Sequence, residues 1–506
     1  MASTHGGPAL LHEIISAQAQ QSPSAPALWW QGHNTTYAAL WSRIEQLAGR
    51  IASCGNPGDR IALLAWNCPE FVELMYAVPA AGRILVPLNA RLAPEELLYQ
   101  LNHSGTSMLF ADSELLEPLA AHTGFPDGLQ TVQLEADYES WLQVAQTAPP
   151  PDTASDDPAW ILFTSGSTGR PKGAVLTHRS FMAGLKSAEI GRPVATEDRY
   201  YYPFPLFHVA AHNVLLQHLR GASVVLARAF SAADTIAACR DIGVTTMSLA
   251  PTMIAMLLDH PEFSAADLAG VRTIGYGASA MPVALLRRLQ ALSDVGLCQS
   301  YGMTELSGSV SFLTVEDHRR AAAGEEHLLA AVGKPLNTAV IKLADDSGRT
   351  VAAGERGEIL VQAEQVMAGY WRDANATASA LQDGWLHTGD IGRFDEQGNL
   401  FIVDRKKDMI VSGGENVASR EVEEVLHQHP AIKDCAVIGL PDARWGEQVS
   451  AVLVECDAVT DTELEAHCRK YLAGYKLPRT WHRVDVLPLN AANKVDKPAL
   501  RQRFGN

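Results

Sequence analysis

Between Thr164 and Gly173 the chain reads TSGSTGRPKG. Thr164, Ser165, Ser167 and Thr168 supply hydroxyls, Gly166, Gly169 and Gly173 supply freedom of backbone, and Lys172 supplies a positive charge. Glycine permits positive φ and close approach of a ligand to the main chain. Consecutive free N–H groups in such a loop form a concavity for an anion. The chemistry this suits is the holding of phosphate. It is not the Walker arrangement, where the lysine is followed by Ser or Thr, because Lys172 is followed by Gly173. A solvated Gly/Ser linker has a similar composition, and the loop alone does not decide between the two.

A phosphate loop must be anchored by rigid elements. The apolar run WILFT enters this loop as a strand, and SFMAGLKSAEI follows it with helical spacing. Residues 9–54 read as amphipathic helices around a short turn, WWQGHNTTYAAL. RIALLAWN and RILVPLN read as strands with the helix FVELMYAVPAAG between them, which implies parallel sheet, and MLFADS repeats the pattern. The stretch QTAPPPDTASDDP reads as an exposed connection. SVVLA, TTMSLA and VRTIGYGAS continue the α/β winding. Beyond residue 331, VIKLADDSGRTV, GEILVQ and GRFDEQGNLFIVDR suggest an antiparallel β unit. From 404 onward, REVEEVLHQHP, DCAVIGLP, VSAVLVEC and ELEAHCRKYL make a small α+β unit. The expected fold class is α/β: a large N-terminal domain of α/β subdomains plus a β unit over 1–403, and a small mobile C-terminal α+β domain over 404–506.

Composition narrows the function. A chain of 506 residues is too long for one core. A net charge of −17 argues against a general nucleic-acid or anionic-membrane surface, though not against a small polyanion in a local pocket. Seven cysteines without a C-x-x-C pair suggest reduced thiols rather than a disulfide framework or a zinc ribbon. The N-terminus lacks the basic and apolar regions of a signal peptide. No run reaches the ~18 apolar residues of a membrane span, and RQRFGN is neither a prenylation nor a peroxisomal address. The expected location is the cytoplasm.

Five further strings follow the loop in order: YGMTE at 301–305, GYWRD at 369–373, GWLHTGD at 384–390, DRKKDMIVSGGENV at 404–417, and NAANKVDKPALR with Lys494. Together the six resemble the adenylate-forming superfamily of acyl-CoA synthetases, peptide-synthetase adenylation domains and firefly luciferases, and most of all its acyl-CoA ligases of fatty, aryl and related acids. The resemblance runs from residue 10 to the C-terminus. It implies a two-step reaction: a carboxylate attacks the α-phosphate of MgATP to give acyl-adenylate and pyrophosphate, then the thiol of CoA attacks the acyl carbon and expels AMP.

The resemblance also implies roles. Thr164 to Gly169, with Lys172, would wrap the β- and γ-phosphates. Glu305 would ligate Mg²⁺ with Thr164 beside it, and Thr304 would hydrogen-bond the α-phosphate. Tyr301 would stack on adenine, with Ser300, Gly302 and Met303 next to it and Gly277, Ala278 and Ser279 along the base. Asp390 would accept from both ribose hydroxyls, with Ile402 and Arg405 on the ribose side. Lys494 would bring a mobile ammonium to the α-phosphate and carboxylate, although Asn493 precedes it where the family usually has glycine. His208 matches the gate of an acyl pocket whose walls include Tyr276, Gly302, Met303, Ser307 and Ser309, with His212 and Asn213 deeper and Tyr276 narrowing or capping it. Lys407 marks the domain hinge, and Gly413 and Gly414 the pantetheine tunnel. Arg91, Trp445, Tyr475 and Arg479 are candidates for CoA. The expected partners are ATP, Mg²⁺, CoA and a carboxylic acid with an apolar tail, medium- or long-chain fatty or aryl. An enzyme that loads a separate carrier protein is the alternative. A non-enzymatic acyl-nucleotide-binding regulator would need a damaged loop, glutamate or lysine, and all three are intact.

Overall fold

The computed structural model describes residues 7–143, 148–149, 151–164, 170–277, 281–412, 415–442, 444–490 and 494–505. Packing divides the chain into two compact units, Met1–Ile341 with Val361–Leu386, and Lys342–Leu360 with His387–Asn506. Residues 342–360 and 387–403 thus fall in the second unit with the C-terminal residues.

The first unit is built on two large sheets. The seven-stranded sheet runs Gly369–Tyr370, Lys172–Thr177, Pro158–Thr164, Ile84–Pro87, Arg60–Leu64, Thr106–Ala111, Gln130–Gln133. Arg60–Leu64 pairs in parallel with both Ile84–Pro87 and Thr106–Ala111, as the strand–helix–strand order requires. The intervening helix Pro69–Ala80 opens on a proline, and its residues from Phe71 onward are all buried. Pro158–Thr164 and Lys172–Thr177 are antiparallel, and Thr164 pairs with Lys172. The phosphate-type loop is therefore the tip of a hairpin, where the sequence suggested a strand leading to a helix. The helix comes only afterward, at His178–Gly191, where the Thr177 side chain accepts from Ser180 N. Gly369–Tyr370 extends the hairpin, with Tyr370 opposite Ala174.

The nine-stranded sheet runs Lys334–Pro335, Gly308–Leu313, Gly296–Met303, Thr273–Gly277, Thr246–Ser248, Arg199–Tyr202, Ser223–Leu226, Pro26–Trp30, His33–Thr36. Thr246–Ser248, Thr273–Gly277 and Gly296–Met303 are parallel neighbours. Their carboxyl ends are where an α/β sheet offers a crevice for ligands. Gly308–Leu313 then returns antiparallel, with a register shift at Tyr301/Gly302. The turn expected at WWQGHN is in fact a hairpin of Pro26–Trp30 with His33–Thr36. Gln31 and Gly32 both have positive φ, the geometry of a two-residue turn that matches strand twist.

Of the antiparallel sheet Ala339–Ala344, Gly357–Ala363, Trp385–Phe394 and Leu381–Gln382, with Leu400–Arg405 paired to Trp385–Phe394, the second unit holds 342–344, 357–360, 387–394 and Leu400–Arg405. It also holds a mixed sheet centred on the long pair Ile432–Asp442 and Gly446–Glu455. Helix Ser419–Leu426 packs on this sheet through Val422, Val425 and Leu426. No helix is long and apolar enough to cross a membrane among the described residues. All seven cysteines are free.

Two histidines are locked into the first unit's core. Burial lowers the pKa of His178 and His218 to about 4, against an ordinary value of about 6.5. His178 Nδ1 accepts from Leu11 N at 3.1 Å, and His218 lies 2.8 Å from the Tyr76 hydroxyl. Between pH 6.5 and 4 the unfolded chain thus binds more protons than the folded one, so stability is full above 6.5 and falls with acidification through that window. Unfolding midpoints measured from pH 7 to pH 4 should fall, and His218→Gln should flatten that slope by about one proton.

Candidate active site

Thr164 at the end of its strand, the string YGMTE and the string GYWRD meet at one carboxylate. Glu305 lies in the short 3₁₀ turn Thr304–Leu306, directly after Gly296–Met303, and is 6% exposed. Its Oε1 accepts from Thr164 Oγ1 at 3.3 Å and from the Tyr370 hydroxyl at 2.8 Å. Its backbone oxygen accepts from Met367 N at 2.8 Å. The Lys172 ammonium lies 5.2 Å from the Tyr370 ring centre. The Tyr370 hydroxyl is held firmly protonated, by burial and then by the Glu305 charge, so it remains a donor to the carboxylate. Tyr370 was not picked out in the sequence, although GYWRD was; the signal was a tyrosine on a two-residue strand against the hairpin. Thr164 and Lys172 meet here as expected, while Ser165, Gly166, Ser167, Thr168 and Gly169 lie outside the described residues.

The strand ends next to Glu305 are closely fitted. Gly277 pairs with Ser300, and Gly302 and Met303 pair with Ser309 and Gly308. Tyr301 is buried and Thr304 half-buried. Ser307 takes a positive φ, and its hydroxyl donates to Ser180 Oγ at 3.0 Å. The Ser309 backbone oxygen accepts from Gln365 Nε2 at 3.1 Å. Ala278 and Ser279 lie outside the described residues. Tyr276 differs from its expected role as a pocket cap. Its hydroxyl lies 2.8 Å from His318 Nε2 and donates to Gln299 Oε1 at 3.3 Å, so at 4% exposure it is engaged in core packing.

His208 is half-buried, immediately before the turn Val209–Ala211, with its ring 4.8 Å from that of Phe207. His212 is buried. Its Nδ1 donates to Val209 O at 2.8 Å, and burial holds its pKa at about 4, so it is neutral at pH 7. A Cβ at Gly308 would lie 3.4 Å from the His212 ring. Asn213 accepts from Arg192, a residue with no sequence signal.

In the second unit Asp390 and Arg405 pair across adjacent strands, and Arg405 Nε lies 2.6 Å from Asp390 Oδ1. Asp390 is 2% exposed. Ile402 is half-buried on the same strand as Arg405. Lys494 closes a small loop: its N–H donates to Asn490 Oδ1 and its carbonyl accepts from Asn490 N. Desolvation lowers the pKa of the Lys494 ammonium, Arg405 and Lys407 lower it further, and Asp390 opposes them. These four residues thus share one electrostatic neighbourhood. Lys407 itself is exposed in the turn between Leu400–Arg405 and Ile410–Ser412. Arg479 and Arg444 stand 4.1 and 4.8 Å from the Trp445 ring, and Lys476 5.8 Å from that of Tyr475. Arg444 was not foreseen. Arg91 belongs to the first unit and is exposed. Gly413 and Gly414 lie outside the described residues.

Comparison with known proteins matches two family models to the chain in succession. The model of the AMP-binding enzyme family matches residues 15–371, and that of the AMP-binding enzyme C-terminal domain matches 421–494. The chain is 39% identical to a feruloyl-CoA synthase of Amycolatopsis sp, over 96% of this chain and 98% of that one. It is 34% identical to a fatty acid–[acyl-carrier-protein] ligase of Streptomyces coeruleorubidus, over 98% and 96%. Among solved structures it resembles the o-succinylbenzoate CoA synthetase of Bacillus subtilis in complex with its acyl-adenylate intermediate, with a TM-score of 0.86 and 32% identity over 96% and 97% of the chains.

Close fitting near Glu305 gives a graded test. A Cβ at Gly302 would lie 1.9 Å from the Gly308 carbonyl oxygen, whereas one at Gly277 would lie 3.1 Å from that of Ser300. Gly302→Ala should destabilise by about 1–3 kcal/mol, seen as a lower melting temperature, and Gly277→Ala by clearly less. Equal melting temperatures would mean that the turn before Glu305 is not constrained in this way.

Proposed function

The chain belongs to the AMP-binding enzymes and is an AMP-forming acid–thiol ligase, and we propose that it activates an aryl or fatty carboxylic acid with ATP and transfers the acyl group to CoA. The observation that carries this reading is the Glu305 carboxylate, fixed by Thr164 and Tyr370 at the base of the hairpin loop.

ATP brings several negative charges to a reacting carboxylate that is itself negative, so catalysis must supply positive charge and N–H donors in a fixed arrangement. The hairpin loop, with Lys172 at its base, holds the β- and γ-phosphates in this reading. No cluster of three or more His, Cys, Asp or Glu able to hold a metal occurs among the described residues. One buried carboxylate suits Mg²⁺, which keeps water and takes phosphate oxygens, and Glu305 with Thr164 would hold it. When bound, the ion would neutralise phosphate charge. Tyr370 keeps one Glu305 oxygen engaged and so orients the other. Thr304 donates to the α-phosphate, and Tyr301 lies against adenine with Ser300, Gly302, Met303 and Gly277 beside it. Asp390, held by Arg405, takes the ribose hydroxyls. Lys494, in the neighbourhood of Asp390, delivers its ammonium to the α-phosphate and the acid. His208 lies at the entrance to the acyl pocket.

The boundary after residue 403 and the pivot at Lys407 belong to this reading, since the exposed turn holding Lys407 joins two sheets. The guanidinium groups around Trp445 suit the phosphates and adenine of CoA. The acid is aryl in preference to fatty, because feruloyl and succinylbenzoyl, the groups named for two of the relatives, are both aryl. Transfer to a carrier protein is the second reading, favoured by the similarity to the fatty acid–[acyl-carrier-protein] ligase.

Pyrophosphate release over a panel of carboxylic acids, with CoA, with a carrier protein or with neither, tests the reading. AMP and pyrophosphate are expected, with the thioester formed on CoA; ADP and phosphate would overturn it. Lys494→Ala should slow adenylate formation by about two to three decades, about 3–4 kcal/mol, while sparing thioester formation from preformed acyl-adenylate. Equal loss in both half-reactions would contradict the role given to Lys494.

A further inference from the structure

Arg192, at the end of helix His178–Gly191, is 9% exposed and forms no ion pair with a carboxylate among the described residues. The residues outside the description contain no Asp or Glu. A buried guanidinium without an anion is costly, and its five N–H donors need acceptors. Nη1 donates to Ser248 Oγ at 2.8 Å and Nη2 to Asn213 Oδ1 at 2.6 Å. The guanidinium also lies 5.4 Å from the Tyr200 ring. The Tyr200 hydroxyl donates to the same Ser248 oxygen at 2.8 Å, which leaves the serine proton to be donated in turn. Asn213 Nδ2 is already engaged with Ala210 O. Among the described residues the cluster therefore offers more donors than acceptors.

Its place in the fold says what could supply one. Ser248 and Gly275 are paired on parallel strands near their carboxyl ends. A Cβ at Gly275 would lie 1.9 Å from Arg192 Nη1, so the glycine leaves the space that the guanidinium fills. Asn213 belongs to the segment that begins at His208, and it is half-buried. On the reading that His208 stands at the entrance to the acyl pocket and Asn213 deeper in it, Arg192, bonded to Asn213, adjoins that pocket's deep end. We propose that Arg192 is a specificity-determining residue: with Ser248 it binds an oxygen acceptor at the end of the acyl group remote from the reacting carboxylate. The preferred acids then carry a phenolic or second carboxylate oxygen there. This replaces the expectation of a purely apolar tail and rests on the acyl-CoA ligase reading.

The test measures kcat/KM for pyrophosphate release on the full chain with two matched pairs, 4-hydroxycinnamate against cinnamate and octanedioate against octanoate. Wild type should favour the oxygen-bearing member of at least one pair by roughly tenfold or more, and the pair that responds distinguishes phenol from carboxylate. Arg192→Met should remove that preference, lowering kcat/KM for the oxygen-bearing acid far more than for the plain one, and Arg192→Lys should restore part of it. If Arg192→Met does not fold, Gly275→Ala, which displaces the guanidinium, should produce the same selective loss. Preference for the plain acid in both pairs, or an equal fall for both members in the variants, would overturn the proposal and leave the ligase reading standing. Release with none of the four acids would count against both.

Discussion

A buried carboxylate has to be paid for by its neighbours, and in this protein Glu305 ties together segments that are far apart in sequence. Thr164 reaches it from the foot of the hairpin, and Tyr370 from a two-residue strand on the other edge of that hairpin. The Met367 amide fixes its backbone. A carboxylate with two donors on one oxygen and its backbone fixed is held in place when polyphosphate charge arrives, which is what electrostatic preorganisation requires. The narrow fit at Gly302 and the positive φ of Ser307 serve the same end on either side of the turn.

The second unit uses a different device. Asp390 is held by an arginine directly across the sheet, and Lys494 is carried on a short loop closed by Asn490. Desolvation and then the cations Arg405 and Lys407 favour loss of the Lys494 proton while Asp390 opposes them, and on the proposed reading an arriving phosphate would oppose them further. The ammonium is then most stable when its anionic target is present, which suits a residue asked to act in one step only.

Much of the site could be read from the sequence because its chemistry is carried by short strings. The loop, Glu305, Asp390 and Lys494 each sit in a string whose residue types explain themselves, and the strand–helix–strand order gave the parallel core. Other features depend on pairing across distance. Tyr370 acquires its role only when its strand is laid beside Ala174. Arg192 carries no signal of its own in the sequence, and only the fold buries it against Ser248 and Asn213. Tyr276 looked like a pocket residue because it adjoins Gly277, but strand alternation and a buried histidine on the helix Val315–Ala322 give its hydroxyl another partner. The Gln31–Gly32 hairpin was hidden because glutamine is an uncommon residue at positive φ.

The central claim is that a fixed Glu305 carboxylate supports attack of an acid on ATP before any thiol takes part. Acid-dependent exchange of labelled pyrophosphate into ATP, without CoA, measures that step alone. The account predicts exchange by the wild type only when a carboxylic acid and Mg²⁺ are present, and a fall of about two to three decades in Glu305→Gln with the fold intact. Undiminished exchange in Glu305→Gln, or exchange that requires CoA, would contradict it.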